Sequence, residues 1–297
     1  MTLIERTMEP TNYAPPEALS RYVEYFWTLE CGQEDSVLTL KTLANGVSGI
    51  IVQHHNGRSA WGPTTAQKHP VSSGNIPTSF VYGKRTRPTQ TFARGPFEVT
   101  GVVFKPQALG MLLHIHPVEL NNGPVGLNEF SRDNIGEQLL NARSQHERVV
   151  RVSEFLHAHV DAARPEDVLV TESLRLIHHG IRSIRVPQLL KCLDLSERQF
   201  ERRFVRAVGI SPHHYIRIAR FQEAVRLMKT KQFERLSDIA YDLNYADQSH
   251  LIKNIREFSG YTPTTLAQTV QTGDDFPCFL MLAGTQAPST DGCDVLG

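Results

Sequence analysis

The sequence predicts a two-domain α+β protein in which a β-barrel-like domain with trailing helices precedes an all-helical domain. Segments rich in β-branched and aromatic residues, separated by Gly and Pro, occupy residues 22–105, and helical apolar spacing prevails after Pro106. A pattern of two short helices also occurs twice between residues 184 and 263. The chain has 297 residues, of which 40% are hydrophobic and 21% charged, so it is large enough for two separate cores.

Changes in composition divide the chain into four segments. We expect an N-terminal arm over residues 1–20 and a β-rich domain with trailing helices over residues 21–163. A helical domain is expected over residues 164–270, after the linker-like AARPED stretch, and a flexible tail over residues 271–297.

The composition argues against a membrane or secreted protein. No apolar run reaches the roughly 18–20 residues of a membrane span, and the N-terminus lacks the basic start and apolar core of a signal peptide. The four cysteines are too widely scattered for a zinc site or a disulfide framework. We therefore expect a cytoplasmic protein.

A net charge of zero conceals a difference between the domains. Residues 165–270 contain 16 Lys and Arg against 12 Asp and Glu, a net charge of +4, and the remaining residues carry −4. So small an excess is weak evidence for a nucleic-acid partner, and the positions of the charges matter more than their number.

The first domain is predicted to be a sandwich or barrel. YVEYFWTLE, GVSGIIVQHH, SFVYG and FEVTGVVF are typical of strands and are separated by turn residues. Trp27 and Trp61 are candidates to line a ligand pocket, because pockets favour aromatic residues. Aromatic residues in such strands are, however, more often simply part of the core.

A metal-dependent enzyme in the first domain is the alternative function. His114, His116 and Glu119 in HIHPVE have a spacing known from metal-binding barrels. This segment follows the helical pattern PQALGMLL instead of lying on a strand, so we expect no metal and no cofactor. The sequence also lacks a nucleophile elbow, a phosphate loop and paired carboxylates, so no catalytic residue is predicted.

The segment LSERQFERRFVRAVGISP predicts a helix with sharply defined ends. Ser196 and Gln199 have the spacing of a capping box, and Gly209 suits the left-handed residue after a helix. Phe200 and Phe204 share one face of this helix. The preceding segment VPQLLKCLDL predicts a shorter helix, and the tight turn between the two predicts a helix-turn-helix unit.

Three arginines lie opposite the phenylalanines. Arg198, Arg202 and Arg206 recur at four-residue spacing and form a cationic stripe. Alone, such a stripe is usually a solvated helix face. On the second helix of a helix-turn-helix unit it indicates contact with phosphates and guanine edges, where a bidentate arginine is the commonest specific contact.

The same pattern returns in LSDIAYDLNYADQSHLIKNIREFSGYTP, displaced by 50 residues before the turn and by 51 after it. Ser237 and Asp247 are the expected N-caps. Leu251, Ile255 and Phe258 are expected on the buried face. The residues expected on the outer face or the exposed N-terminal end are Gln248, Ser249, Lys253 and Arg256.

A single helix is predicted between the two copies. Ser211 and Pro212 begin HHYIRIARFQEAVRLMKT, which has about 17 residues and a length of roughly 25 Å. Ile218, Phe221 and Val225 belong to its apolar stripe. A rod of this size can hold two recognition helices about one DNA turn apart, on one face of the duplex.

Residues 168–270 resemble the AraC/XylS family of bacterial transcription regulators. The resemblance rests on three segments in this order: LSERQFERRF, GISP with HHYIRIARFQEAVRLM, and IAYDLNYADQSHLIKNIREFSGYTP. The resemblance implies seven helices with two helix-turn-helix units that enter successive major-groove segments of double-stranded DNA. Carried over by position, the base-facing residues are Arg198, Glu201 and Arg202 in the first unit, and Gln248, Ser249, Ile252 and Lys253 in the second.

The sequence departs from the family pattern at two positions. Ile255 stands where phenylalanine is usual, and Ile252 stands where a small polar residue is common. Because Ile252 cannot donate or accept a hydrogen bond, it suggests contact with a thymine methyl group or weak sequence reading by the second unit.

The first domain resembles more loosely the β-rich, cupin-like sensor domains found in part of this family, through EYFWTLE, VYGKRTRP and FEVTGVVFKPQALGMLL. This resemblance implies a regulator without enzymatic activity whose first domain senses a small-molecule effector or mediates homodimerisation. Contact with RNA polymerase is implied as a further partnership, and a membrane is not.

Overall fold

The structure is a computed structural model that describes residues 10–32, 37–61, 76–94, 96–130, 134–272 and 280–283. Within them the strands are β1 Thr11–Tyr13, β2 Val23–Cys31, β3 Val37–Thr42, β4 Ser48–His54, β5 Ser79–Tyr82, β6 Thr89–Arg94, β7 Phe97–Phe104, β8 Val125–Gly126 and β9 Leu280–Ala283. The helices are α1 Ala108–Leu112, α2 Ile135–Leu140, α3 Gln145–His157, α4 Val168–His179, α5 Val186–Leu193, α6 Glu197–Val208, α7 Pro212–Lys229, α8 Leu236–Asp242, α9 Gln248–Ser259 and α10 Pro263–Thr272.

The strands form two antiparallel sheets. One sheet has the order β1-β2-β7-β4-β5-β8 and the other has the order β6-β3-β9. A sandwich or a barrel was expected. In the described part of the chain only a single bridge, between Trp61 and Ala93, reaches from the segment after β4 to β6. The first domain is therefore a pair of sheets and not a closed barrel.

The six-stranded sheet is covered on both faces, because successive side chains of a strand point in opposite directions. Phe26, Ile50 and Val102 pack on one face with helices α1 to α3. Trp27 and Phe80 pack on the other face. Both faces are thus apolar, and the sheet forms the centre of the first domain.

The buried Arg148 fastens α3 to this sheet. Its Nη1 lies 2.8 Å from Oε2 of Glu98 on β7, and its Nε donates to the carbonyl oxygen of Leu139 at 2.9 Å. A guanidinium this deeply buried is stable only when its charge and its donors are paired, as they are here.

The second domain contains the helices α4 to α10 around one core. Phe200, Phe204, Phe221 and Phe258 are fully buried at its centre. A single apolar stripe was expected on α7, but its buried residues include Tyr215 and Ala224 and occur all around the helix. This difference arises because α7 is the central helix, with neighbours on several sides. None of the helices among the described residues is long and apolar enough to cross a membrane.

The two terminal segments differ from a loose arm and a flexible tail. In the arm, Thr11–Tyr13 pairs with β2, and Leu19 is buried against the helical face of the larger sheet. In the tail, Leu280–Ala283 pairs with β3 as an additional strand. Backbone pairing at these sheet edges satisfies donors and acceptors that would otherwise be left open. The other parts of the tail beyond residue 272, and residues 1–9 of the arm, lie outside the described residues.

Candidate nucleic-acid interface

The first helix pair, α5 and α6, is joined by a turn of three residues. Asp194 ends α5 in the left-handed conformation, with φ of 50°. Ser196 caps α6, and the side chain of Gln199 accepts a hydrogen bond from the backbone amide of Ser196 at 3.3 Å, which confirms the predicted capping box. Gly209, with φ of 94°, ends the helix as predicted.

Aromatic side chains anchor α6 to the core. The rings of Phe200 and Phe204 lie 5.6 Å apart, and that of Phe204 lies 5.6 Å from the ring of Tyr215 on α7. Edge-to-face contacts of this kind add to the hydrophobic stabilisation. They leave one face of α6 for the solvent.

The outer face of α6 holds the predicted residues of the first unit. Arg198, Glu201, Arg202 and Arg206 are all exposed. Arg203 turns to the side instead, where its Nε lies 2.9 Å from Oδ2 of Asp167, the residue that caps α4. The two residues lie 36 positions apart along the chain.

The second helix pair, α8 and α9, repeats the arrangement. Asp247 caps α9 as predicted, because its Oδ1 accepts from the amide of His250 at 2.7 Å. Ser237 was expected to cap α8, but the cap is Arg235, whose amide donates to Oδ2 of Asp238 at 2.7 Å. Because Asp238 accepts this hydrogen bond from Arg235, the helix begins at Leu236, one residue before Ser237.

The outer face of α9 differs from that of α6. Gln248, Ser249, Lys253 and Arg256 are exposed, whereas Ile252 is half-buried. Leu251, Ile255 and Phe258 are fully buried beneath them. The isoleucine in place of phenylalanine at position 255 therefore occupies the core position that was predicted for it.

Polar contacts that sequence reasoning missed hold the two units together through α7. The guanidinium of Arg217 on α7 donates to Oδ1 of the buried Asn254 at 3.2 Å and contacts Glu257 at 2.5 Å. Three residues further along α7, Arg220 donates to the carbonyl oxygens of Ile181 and Ile184, just before α5. The arginines of α7 were the only signal in the sequence for such contacts.

A loop of the first domain enters the core of the second. We call residues Leu43–Gly46, between β3 and β4, the docking loop. Leu43 and Ala44 are buried within the core of the helical domain. The amide of Ala44 donates to the carbonyl oxygen of Phe258 at 2.9 Å, and its carbonyl oxygen accepts from Nε2 of Gln222 at 2.5 Å. The docking loop thus joins the connecting helix α7 to the end of α9.

Two lysines close to the docking loop are shielded from solvent, Lys41 in part and Lys84 almost completely. Nζ of Lys41 lies 3.2 Å from the centre of the Tyr261 ring, and burial lowers the pKa of this lysine. Burial also lowers the pKa of Lys84 to about 7, and no atom in the described part of the chain forms a hydrogen bond with its Nζ. Lys84 adjoins Arg85, whose carbonyl oxygen accepts from the amides of Asn45 and Gly46 at 3.1 Å.

A second contact between the domains lies at the start of α4. Nε2 of Gln107, just before α1, donates to Oγ1 of Thr171 at 2.7 Å, and its Oε1 accepts from the amide of Asp167 at 3.3 Å. Nearby, Pro117 packs so closely on Gly209 that a Cβ at the glycine would lie 2.8 Å from Cβ of the proline. The segment that follows β7 therefore contacts the start of α4 through Gln107 and the end of α6 through Pro117.

The remaining candidates lie in the first domain. Trp27 and Trp61 are both buried and belong to one apolar cluster on the face of the larger sheet that is turned away from helices α1 to α3. His114 has a positive φ of 58°, and its Nε2 lies 2.9 Å from the carbonyl oxygen of Ala162. Among the residues that the structure describes, no three His, Cys, Asp or Glu side chains come together as a metal site would require.

Comparison with known proteins identifies two regions of the chain. Residues 189–269 match the family of helix-turn-helix domains, and residues 11–125 match a domain of unknown function (DUF6597). No curated protein has a significantly similar sequence.

Distant similarity to solved structures extends over most of the chain. One structure of ToxT from Vibrio cholerae is 14% identical, with a TM-score of 0.46, and the match covers 90% of this chain and 100% of ToxT. A structure of wild-type ToxT with a bound unsaturated fatty acid is 12% identical, with a TM-score of 0.44, and covers 93% of this chain and 100% of ToxT.

Proposed function

We propose that the chain is a DNA-binding transcription regulator of the AraC/XylS family and that α6 and α9 are its two recognition helices. Both helices lie within residues 189–269, which match a helix-turn-helix domain. The observation that supports the proposal is common to both helices. Each is held by a fully buried apolar face and presents exposed polar and cationic side chains on the opposite side. Such a helix reads base edges when it lies in a major groove.

The two helices are suited to different kinds of reading. On α6, the exposed guanidinium groups of Arg198 and Arg202 can each make two parallel hydrogen bonds to a guanine, and Arg206 extends the stripe towards phosphates. On α9, Gln248 and Ser249 lie in the first turn. Glutamine can make two hydrogen bonds to adenine, serine can bond to several bases, and Ile252 can contact a thymine methyl group. We therefore expect the first unit to supply most of the sequence specificity.

In vitro selection tests this function. The full-length protein is incubated with a library of random duplexes, and the bound duplexes are sequenced after several rounds. The expected result is a motif with two conserved segments whose centres are about one helical turn, or roughly 10 base pairs, apart. A single conserved segment, or no enrichment of any duplex, would contradict the use of two recognition helices.

The docking loop supplies the route by which the first domain regulates DNA binding. Because Ala44 is hydrogen-bonded to both Phe258 and Gln222, a movement of β3 and β4 shifts the end of α9 relative to α7. We expect an effector bound near Trp27 and Trp61 to act in this way. Trp27 lies on β2, in the same sheet as β4, and Trp61 lies in the segment after β4. Dimerisation and contact with RNA polymerase belong to the same proposal.

A loop variant tests this route. Leu43→Ala removes a buried contact between the domains, and Val118→Ala, at an exposed position, is the matched control. Hydrogen exchange should become faster at the amides near the end of α9 in Leu43→Ala but not in the control, and DNA affinity should change with it. Unchanged exchange and unchanged affinity would show that the docking loop does not couple the domains.

A further inference from the structure

A second connection joins the two helix-turn-helix units, in addition to α7. The first unit is α5 with α6, and the second unit is α8 with α9. We call residues 180–185, between α4 and α5, the bridging loop. This loop leads directly into the first unit, and it contacts both α7 and the second unit. The two units are therefore linked along the chain through α7 and across space through the bridging loop.

One side of the bridging loop is held by α7. Nε of Arg220 donates to the carbonyl oxygen of Ile181 at 3.1 Å, and Nη2 of the same guanidinium donates to that of Ile184. Because Arg220 is half-buried, these charge-assisted hydrogen bonds are stronger than those between exposed groups. The loop also has internal order, since the amides of Ser183 and Ile184 donate to the carbonyl oxygen of Gly180 at 2.9 and 2.8 Å. The bridging loop is thus fixed relative to α7.

Two arginines of the bridging loop reach the second unit. Nη1 of Arg182 lies 2.8 Å from Oδ1 of Asp242, at the end of α8, and its Nη2 lies 4.0 Å from Oε1 of Glu223 on α7. Nη2 of Arg185, the N-cap of α5, donates to Oδ1 of Asn244 in the turn before α9, at 3.3 Å. The contacts with Asp242 and Asn244 lead from one unit to the other without passing through α7.

The turn that receives these arginines has a well-defined backbone. Asn244 has a positive φ of 54°, a conformation that asparagine adopts more readily than most residues. Its amide donates to the carbonyl oxygen of Tyr241 at 3.1 Å, and the amide of Tyr245 donates to that of Ala240 at 2.9 Å. The N-cap of α9 is Asp247, three residues after Asn244, so the position of this turn sets the position of α9.

A connection through α7 alone would let each unit turn at the ends of that helix. Residues 209–211 and 230–235 join α7 to α6 and to α8, and short loops of this kind are where helices pivot. A second connection away from these joints removes that freedom. Arg182 and Arg185 are exposed, so their pairs contribute little to the stability of the fold. Their main effect is therefore on the relative position of the two units.

We propose that the bridging loop sets the number of base pairs that the protein accepts between its two DNA segments, with Arg182, Arg185 and Arg220 as positioning residues. This inference rests on the proposed function, because it requires α6 and α9 to enter one duplex. Adding or removing one base pair shifts one segment by about 3.4 Å and about a tenth of a turn. Two rigidly linked units lose contacts on such a duplex, whereas units joined through α7 alone can follow the shift. None of the three arginines belongs to α6 or α9, so this role is separate from base contacts.

Three duplexes test the spacing by fluorescence anisotropy with the full-length protein: the selected duplex, and the same duplex with one base pair added or removed between its two conserved segments. The wild type should bind the selected duplex at least about tenfold more tightly than either altered one, the effect of losing one good base contact. In the loop double variant, Arg182→Ala with Arg185→Ala, this ratio should fall by at least about threefold, the coupling expected from two exposed pairs. Arg220→Met, which removes both hydrogen bonds from α7 to the loop, should lower the ratio at least as far.

Arg226→Ala is the matched control, because Arg226 also lies on α7 but pairs with Glu223 and Gln232, within that helix or directly after it. It should keep the wild-type ratio. A variant that had merely lost a phosphate contact would bind all three duplexes more weakly by the same factor, and its ratio would also stay unchanged. Thermal unfolding shows whether each variant is folded. The loop double variant changes exposed side chains only, so it decides the outcome if Arg220→Met does not fold.

Distances between two spin labels test the bridging loop without DNA. One label is attached to the exposed Cys192 on α5 and the other to position 237 on α8 after Ser237→Cys, in the full-length chain with Cys278→Ser and Cys293→Ser. Cys31 is buried and stays unlabelled. Double electron–electron resonance should give a narrow distance distribution with the wild-type loop and in the control, and a broader one in the loop double variant.

Two results would overturn the proposal. An unchanged ratio of affinities in the loop double variant would show that the bridging loop does not set the spacing, even if the distances broaden. An equally narrow distance distribution in this variant and in the control would show that the loop does not hold the units in place. If the wild type binds no duplex with two conserved segments, the proposed function fails, and the distances still decide whether the bridging loop fixes the two units.

Discussion

Replacing Lys84 by methionine should stabilise the protein at neutral and acidic pH. Lys84 is only 6% exposed, its Nζ has no hydrogen-bond partner within the described residues, and burial lowers its pKa from 10.5 to about 7. Methionine fills a similar volume without a charge. The cost of burying an unpaired ammonium group is thereby removed.

The magnitude follows from the two pKa values. Between pH 7 and 10.5 the unfolded chain binds a proton at this lysine that the folded chain does not, so the free energy of unfolding of the wild type rises with pH. At about 1.36 kcal/mol per pKa unit, the destabilisation is roughly 4–5 kcal/mol at pH 6 and about 2 kcal/mol at pH 9. Lys84→Met should therefore be several kcal/mol more stable than the wild type at pH 6, and the difference should fall by about 3 kcal/mol by pH 9.

Urea unfolding of both proteins at pH 6 and pH 9 measures this difference, with the exposed Lys191→Met as the control. The control should differ little from the wild type at either pH. If Lys84→Met were no more stable than the wild type at pH 6, or if its advantage were the same at both pH values, the buried lysine would not be an unpaired charge.

Three further predictions concern DNA binding and the core. The double variant Arg198→Ala with Arg202→Ala should bind a selected duplex more weakly, by roughly 1–3 kcal/mol per lost bidentate contact, while its melting temperature stays unchanged. Fluorescence anisotropy measures the affinity, and an unaltered affinity would mean that this face of α6 does not read bases. The logarithm of DNA affinity should fall steeply and linearly with the logarithm of salt concentration, and a flat response would exclude phosphate contacts. Phe204→Ala should lower the free energy of unfolding by roughly 3–5 kcal/mol in urea titrations, because the side chain is fully buried against Phe200 and Tyr215; a loss below 1 kcal/mol would contradict the packing described.

Features set by neighbouring residues could be predicted from the sequence. The capping box of Ser196 and Gln199, the left-handed Gly209 and the cap at Asp247 all depend on residues within one helical turn. Each of these has a distinct residue preference, so the ends of α6 and α9 were correct. The beginning of α8 was wrong, because Asp238 accepts a hydrogen bond from the amide of Arg235 and makes Arg235 the N-cap, two residues before Ser237.

Contacts between distant parts of the chain could not be predicted. Nothing in the sequence distinguishes Leu43 and Ala44 from the interior of a β-rich domain, yet they complete the helical core. The pairing of Arg203 with Asp167 joins residues 36 positions apart and depends on how α4 packs against α6. The choice between a sandwich and a barrel stayed open for a similar reason, because strand spacing does not determine which edges pair.

Footprinting at base resolution on a selected duplex tests most directly whether the chain reads DNA with two helices. The wild type is compared with a variant of α6, Arg198→Ala with Arg202→Ala, and a variant of α9, Lys253→Ala with Arg256→Ala. We predict that each variant loses protection over one segment only, and that the two segments lie about one helical turn apart. Loss of protection over the same segment in both variants, or over none in either, would contradict the account.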